Sequence, residues 1–552
     1  MADNDLKDLK LDELHRREEE ELASILSQKY GAEYIDLSRV TINSEALRLI
    51  TEPEARAAEV AAFDIVGRKI SLAMRSPANP AVTAIKEALT KRNYDTANYM
   101  VSHASLEAAW NRYKDLSYAV SSKEGVIDIS SEELSQTMEK IKKIEDVATT
   151  ITDVGALKKT YRVSRIVEVV MAGAFAVDAS DVHIEPEQND VRLRFRLDGV
   201  LHEVARFDQE THALLLSRVK LLSGLKLNLH DIAQDGRFSV FLKGAEIEIR
   251  TSVIPGAYGE SIVMRLLNPE TISVPFEALG MEPRLKALVE REIRNPNGML
   301  LNTGPTGSGK STTLYACMKS ISTPEVKIIT IEDPIEYHVA GLVQTQVEKN
   351  YTFLSGLRSA LRQDPDVIMI GEIRDEEVAR TAIDAALTGH FVFSTIHTNN
   401  AAGTFPRLAD LGVDPKVFGS AVNIAMAQRL VRTLCKVCKK QIPLEGKDKE
   451  RIEKIIAGLR DRTVLPADMS KIYAPVGCPA CNATGYKGRI GIFEAVVVTD
   501  EMEKLLRTLP SEGDIQAVQR KQEIMMMAED GVVKVLNGLT SMAELDRVVI
   551  VE

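Results

Sequence analysis

The residues Gly304-Pro305-Thr306-Gly307-Ser308-Gly309-Lys310-Ser311 fit the pattern G-x-x-x-x-G-K-[ST]. Glycines let backbone N–H groups turn inward onto phosphate oxygens, and the start of a helix adds its partial positive charge. Lys310 can then reach β- and γ-phosphates, Ser311 can ligate Mg²⁺, and Thr312 continues the first helical turn. The chemistry implied is binding of a nucleoside triphosphate, ATP with Mg²⁺.

Hydrolysis needs carboxylates near that metal and a polarised water. Two apolar runs end on an acid, Thr330-Ile-Glu332-Asp333-Pro334 and Val367-Ile-Met-Ile-Gly371-Glu372. In the second, Gly371 intervenes where an acid usually follows the strand directly, and Asp366 at its front is the weaker candidate. Metal organisation and general-base work divide between Glu332 and Glu372, and spacing does not say which does which. His397, in Ser394-Thr-Ile-His-Thr-Asn-Asn400, follows a third apolar run and is placed to sense the nucleotide. Cys435-x-x-Cys438 and Cys478-x-x-Cys481 make a four-thiolate set suited to closed, structural Zn²⁺. Cys317, inside the helix after the phosphate loop, reads as a small buried apolar residue.

These groups must be held by strands and helices. Gly298–Asn302 reads as a buried strand and Thr312–Met318 as a helix, which supplies the context the phosphate loop requires. From 290 to about 430 short β-rich runs (327–331, 367–370, 391–396) alternate with helical segments, the pattern of a parallel sheet covered on both faces, with its chemistry at the C-terminal strand ends. Val191-Arg-Leu-Arg-Phe-Arg196 alternates apolar with basic residues before the turn Asp198-Gly199, a hairpin with one arginine-rich face. A second hairpin joins 238–241 to 246–250 around Lys243-Gly244, with Gln234-Asp-Gly-Arg237 just before it. Ser130-x-x-Glu133 is a capping box ahead of an apolar stripe at Leu134, Met138, Ile141, Ile144 and Val147, read as one amphipathic linker helix.

The chain has 552 residues, 45% hydrophobic and 27% charged, enough for three or four folding units. Its longest uncharged apolar stretch, Val169–Val177, is half a membrane span, and the polar N-terminus lacks the apolar core of a signal peptide. A cytoplasmic chain with no membrane span is expected. A net charge of −11 argues against non-specific nucleic-acid binding, which relies on Lys and Arg at backbone phosphates.

The run 304–311, the acidic box Thr330–Tyr337, Leu361–Asp375, the His box ending Thr395-Ile-His-Thr398, and Ala427-Gln-Arg-Leu-Val-Arg432 together resemble the type II secretion and type IV pilus assembly ATPases (GspE/PilB-like). The resemblance implies an α/β protein. A RecA-like P-loop motor domain follows a PAS-like α/β domain and a small N-terminal α/β domain, and carries a tetracysteine zinc knuckle. It implies a homo-hexamer at the cytoplasmic face of the inner membrane, driving an inner-membrane platform protein to build a pilus or pseudopilus. By the same resemblance Glu332 polarises the attacking water, Glu372 is the Walker B acid, His397 lies in the active site, and Arg237, Arg250 and Arg265 reach the phosphates. The leucine-rich, glutamine-ended cyclic-di-GMP pattern of some relatives is not found near the N-terminus. The expected order is a charged arm (1–27), a docking domain (28–118), a linker with an amphipathic helix (119–159), a PAS-like domain with arginine fingers (160–275), a RecA-like ATPase domain (276–434), a zinc subdomain (435–495) and a helical C-terminal subdomain (496–552).

Two other readings compete. A DNA-uptake or translocation motor would use the basic cluster Arg429, Arg432, Lys436, Lys439 and Lys440. A non-hydrolysing adaptor would hold ATP as a structural ligand, which the acids Glu332 and Glu372 oppose.

Overall fold

The computed structural model describes residues 19–37, 40, 42–47, 49–66, 68–91, 94–115, 131–155, 159–242, 245–268 and 274–550. Its contacts divide the chain into two units, residues 1–120 and 121–552.

In the first unit β1 (Glu33–Tyr34), β2 (Val60–Val66), β3 (Lys69–Met74) and β4 (Asp95–Met100) form a sheet in the order β1-β4-β3-β2, in which only β2 runs antiparallel to its neighbour. The tryptophan Trp110 is buried against this sheet and donates its indole N–H to the Val60 carbonyl at 2.9 Å. Residues 19–30 are helical and belong to this unit: Ala23 and Ser27 are buried, and the Glu20 carboxylate accepts from the hydroxyls of Tyr34, Ser102 and Ser105. The latter part of the stretch expected as a charged arm is thus anchored by charge-assisted hydrogen bonds, while positions 1–18 lie outside the described residues.

The second unit begins with two helices where one was expected on a linker, Ser131–Lys140 and Ile144–Gly155. Their apolar stripe (Leu134, Ile141, Ile144, Val147, Ile151) shares one core with Val182, Leu193, Phe195 and Ile249. Burying it against a sheet is worth more than leaving it on a tether, since each such side chain contributes about 1.5–3 kcal/mol. That sheet is fully antiparallel, in the order β7-β6-β5-β10-β9-β8, from β5 (Asp181–Pro186), β6 (Val191–Leu197), β7 (Val200–Phe207), β8 (Gln234–Leu242), β9 (Ala245–Ile254) and β10 (Ser261–Leu267). Asp198 and Gly199 take φ of 47° and 86°, the left-handed pair of a two-residue hairpin turn matched to strand twist. Gln234–Arg237 lies inside β8 rather than ahead of it, so Arg237 has a fixed register.

The second sheet of this unit is β13-β12-β14-β15-β11-β16-β19. Strands β11 (Gly298–Thr303), β12 (Ile328–Glu332), β13 (Leu342–Gln346), β14 (Val367–Ile370), β15 (Phe391–Ile396) and β16 (Val422–Leu434) are parallel, and β19 (Tyr486–Val497) pairs antiparallel with β16. Every residue of β11, β12, β14 and β15 is buried, as a sheet covered on both faces requires. β19 falls in the span expected as zinc subdomain, yet it completes the main sheet; Ile492, Ala495 and Val496 are buried there. Between them, β17 (Lys440–Pro443) pairs with β18 (Lys471–Ala474). The C-terminal tail is broken into four helices, Asp500–Leu506, Glu512–Gln519, Met527–Leu536 and Met542–Asp546, three of them started by a hydroxyl cap from Thr499, Ser511 or Ser541. Among the described residues no helix is long and apolar enough to cross a membrane.

Candidate functional site

The parallel strands deliver the chemistry-bearing residues to one edge of the sheet. After β11 the chain turns through the loop 304–309 and enters the helix Lys310–Ile321, whose first N–H groups, at Lys310, Ser311 and Thr312, have no intrahelical acceptor and are available to an anion. Two glycines are needed by contact as well as by conformation. Gly304 and Gly309 have φ of 150° and 90°, and a Cβ on them would lie 2.6 Å from the Gln428 carbonyl and 2.8 Å from the Gln428 amide nitrogen. Gln428 itself is buried on β16, where its side-chain oxygen accepts from Asn302 at 3.0 Å and from the Thr313 hydroxyl at 2.8 Å. It therefore ties the strand before the loop to the helix after it. Pro305, Thr306 and Gly307 form the exposed tip, and the buried Ser308 hydroxyl has no partner among the described residues.

The Lys310 ammonium folds back onto the Gly304 and Pro305 carbonyls at 2.8 and 3.2 Å. Burial holds its pKa below the usual lysine value, Glu372 opposes that shift and Arg429 adds to it. Glu372 therefore lies within electrostatic reach of Lys310. Its carboxylate, 14% exposed, pairs with Arg374 on one oxygen and with His397 Nε2 at 3.2 Å on the other. Gly371 donates to the Ile331 carbonyl at 2.8 Å and its own carbonyl accepts from Thr395 at 2.7 Å, which carries Glu372 just past the strand end. Asp366, at the opposite end of β14, accepts from the Lys327 N–H and is far in sequence and sheet position from the loop edge.

Glu332 ends β12 but is only 4% exposed. Its carboxylate accepts from the Thr330 hydroxyl at 2.6 Å, from Gln344 at 3.2 Å and from the Tyr315 hydroxyl. Burial pushes its pKa up, against the pull of those donors, and burial with the Glu332 charge keeps the Tyr315 phenol protonated. This acid is engaged on both oxygens and shielded from water. Four residues on, Glu336 is 36% exposed and faces Arg250 at 3.6 Å, while Arg250 also donates to the Ile335 carbonyl.

Arg250 comes from the antiparallel sheet, and the strand register explains its company. Arg237, Arg250 and Arg265 are directly opposite one another across β8, β9 and β10, and the same row continues to Asp181 and Arg196. Like charges so placed repel unless acids or an anion intervene. Arg265 is held by the buried Asp181 at 3.0 Å, whereas Arg237 is 73% exposed with Glu248 at 3.6 Å. Arg250 is the member of the row that touches the acidic box of its own chain.

The four cysteines Cys435, Cys438, Cys478 and Cys481 converge with all Sγ atoms within 4.8 Å. The Sγ separations include 3.9 Å for Cys435–Cys478, 3.8 Å for Cys438–Cys481 and 3.7 Å for Cys478–Cys481. A tetrahedron with metal–sulfur bonds of about 2.3 Å has edges of about 3.8 Å, so the donor set fits one tetrahedral ion. N–H groups of Gly477, Cys478 and Gly485 point at the Cys438 and Cys481 sulfurs at 3.2 to 3.4 Å. Cys317 is fully buried and its thiol is pushed up to about 12.

A family model described as type II/IV secretion system protein matches residues 156–547. The chain belongs to this family. It is therefore an ATPase of the type II/IV secretion family. A second model, the MshEN domain, matches residues 30–118. The type II secretion system protein E of Pectobacterium carotovorum is 42% identical over 386 residues, covering 70% of this chain and 75% of that protein. The type IV pilus assembly ATPase PilB of Myxococcus xanthus is 34% identical over 533 residues, covering 96% and 91%. Among solved structures, the ATPase DotB of Legionella pneumophila shares the fold with a TM-score of 0.50 at 22% identity, covering 69% of this chain and 94% of that one.

The basic cluster that a DNA-translocating relative would need is largely engaged internally in this secretion-family ATPase. Arg432 pairs with the buried Glu544 at 2.7 Å and lies 4.1 Å over the Tyr486 ring, and Lys439 donates to the Gly538 carbonyl at 2.8 Å and sits 4.5 Å from the Tyr473 ring. Arg429 turns to the phosphate loop. Sequence reasoning missed Gln428, Arg429 and Tyr315 as site residues; the first two sat in a quoted motif, but only the pairing of β16 beside β11 shows what they touch.

Proposed function

We propose that this ATPase works as a homo-hexameric ring at the cytoplasmic face of the inner membrane, where hydrolysis moves one domain against another and an inner-membrane platform protein passes that motion to a growing type IV pilus or type II secretion pseudopilus. The observation that carries the reading is the Arg250 contact. A cation fixed in one sheet domain reaches the acidic box of the ATPase sheet, so a change at the nucleotide is felt by the neighbouring domain. The relatives named above support the choice of machine.

Residues 304–312 cradle the triphosphate, with Lys310 leaving the Gly304 and Pro305 carbonyls for the β- and γ-phosphates. Ser311 and Glu372 would hold Mg²⁺, which would neutralise charge on the phosphates, and His397 orients the second Glu372 oxygen. Within the acidic box we assign the water to Glu336, which meets solvent beside Arg250, and assign Glu332, expected from the resemblance to do this work, to anchoring the box through Tyr315. Arg250, in register with Arg237, stabilises the transferring phosphoryl group, while Arg265, expected to share this role, is tied to Asp181. The tetracysteine set would hold structural Zn²⁺, which would fix the turns between β16 and β19.

The test is turnover per chain against protein concentration, with assembly followed by sedimentation in the same samples. Turnover should climb in step with the hexamer; full activity in a monomer would refute the ring.

A further inference from the structure

Arg429 is a half-buried guanidinium with no carboxylate within ion-pair distance among the described residues. Its two hydrogen bonds go to backbone carbonyls, Nη1 to Gln428 at 3.0 Å and Nη2 to Asn399 at 2.7 Å. Nη1 also lies 3.2 Å from where a Cβ on Gly304 would stand, against the first residue of the phosphate loop. Asn399 is two residues beyond His397, whose ring meets Glu372. The guanidinium thus ties the His-box loop to β16 while lying against the first residue of the phosphate loop. It is close enough to Lys310 to lower that ammonium's proton affinity. The acid whose field it feels, Glu494, is buried on β19 and committed to the N–H groups of Ala401 and Met527 at 2.9 and 3.0 Å.

Two cations within electrostatic reach of each other, both hydrogen-bonded to backbone carbonyls, repel one another and together attract a polyanion. A guanidinium makes stronger hydrogen bonds to phosphate oxygens than to neutral carbonyls, and can do so in bidentate fashion. We propose that Arg429 is a phosphate-contacting residue acting on its own chain's nucleotide, that it engages the terminal phosphate of ATP, and that it thereby separates ATP from ADP at this site. Its release of the Asn399 carbonyl then frees the His-box loop, so the ATP and ADP states differ where β19 and the helix Met527–Leu536 are attached through Glu494. The assignment rests on the nucleotide site described above.

The experiment measures affinity of the full-length protein for a non-hydrolysable ATP analogue and for ADP, each with Mg²⁺, in the wild type, Arg429→Gln and Arg429→Lys. Losing a charged hydrogen-bond pair to one phosphate predicts triphosphate binding weakened about ten- to a hundredfold in Arg429→Gln, with ADP within about twofold, and partial recovery in Arg429→Lys. Retained ADP binding also shows that the variant is folded. Equal losses for both nucleotides would reassign Arg429 to holding the loop and overturn the proposal, as would no loss for either. Failure of the wild type to bind either nucleotide would overturn the nucleotide site along with it.

Discussion

Replacing Glu332 or Glu336 by glutamine separates an anchoring acid from a reacting one. Glu332→Gln keeps the volume but only one oxygen, which can still accept from Thr330 and Gln344, while its NH2 faces the Tyr315 hydroxyl, which must turn to accept. Two of those bonds fall from charged to neutral and the third is reversed, a loss of roughly 1 kcal/mol apiece and about 3 kcal/mol together. Against this, the variant no longer buries a carboxylate, a penalty of several kcal/mol. The net change in stability near neutral pH is therefore small, within about 2 kcal/mol of zero. The pH dependence carries the sign: a carboxyl whose folded pKa is raised favours the folded state at low pH and loses that contribution as pH climbs from its ordinary value through the raised one. Glu332→Gln should consequently flatten the decline in stability above about pH 4.3. Turnover should fall no more than severalfold. Glu336→Gln, at a partly exposed position paired with Arg250, should change stability little but cut kcat by about 10²- to 10⁴-fold with KM for ATP nearly constant, the effect of losing a general base. Steady-state hydrolysis and thermal melts across pH on both variants decide it. The reasoning is refuted if a well-folded Glu332→Gln is dead while Glu336→Gln turns over normally.

Arginine and cysteine positions give further tests. Arg250→Ala should cut kcat about 10³-fold or more, whereas Arg265→Ala, whose guanidinium is held by Asp181, should act mainly by leaving that buried aspartate with Arg196 as its one cation beside the Ser180 hydroxyl, and so lower stability; comparing kcat with melting temperature separates the two. Elemental analysis should find one zinc per chain, and Cys478→Ser or a strong chelator should loosen the segment between β16 and β19, read as hydrogen exchange at 435–485, because structural zinc contributes directly to folding.

What was legible in the sequence was local. The phosphate loop sits between a strand and a helix that the chain writes consecutively, the Asp198-Gly199 turn is fixed by two residues, and the cysteine pairs carry their own spacing. What was not legible depends on partners distant in sequence. Glu332 looks like any acid after a strand until Tyr315 and Gln344 close over it, 17 and 12 residues away. The arginine row needs the register of three antiparallel strands, which alternation within each strand does not specify. The stripe from Leu134 to Ile151 has helical period whether it lies on a tether or on a sheet, and only the sheet it packs on decides. β19 joined the main sheet because its apolar residues complete the edge beside β16, a pairing that bridges the cysteine-bearing insertion.

The most direct measurement is Mg²⁺-ATP hydrolysis by the wild type, Lys310→Ala and Glu372→Gln, each with its zinc content and fold checked. Turnover in the wild type that vanishes in both variants is the predicted result. Persistent hydrolysis in either variant, or none in a folded, zinc-loaded wild-type hexamer, would contradict the account.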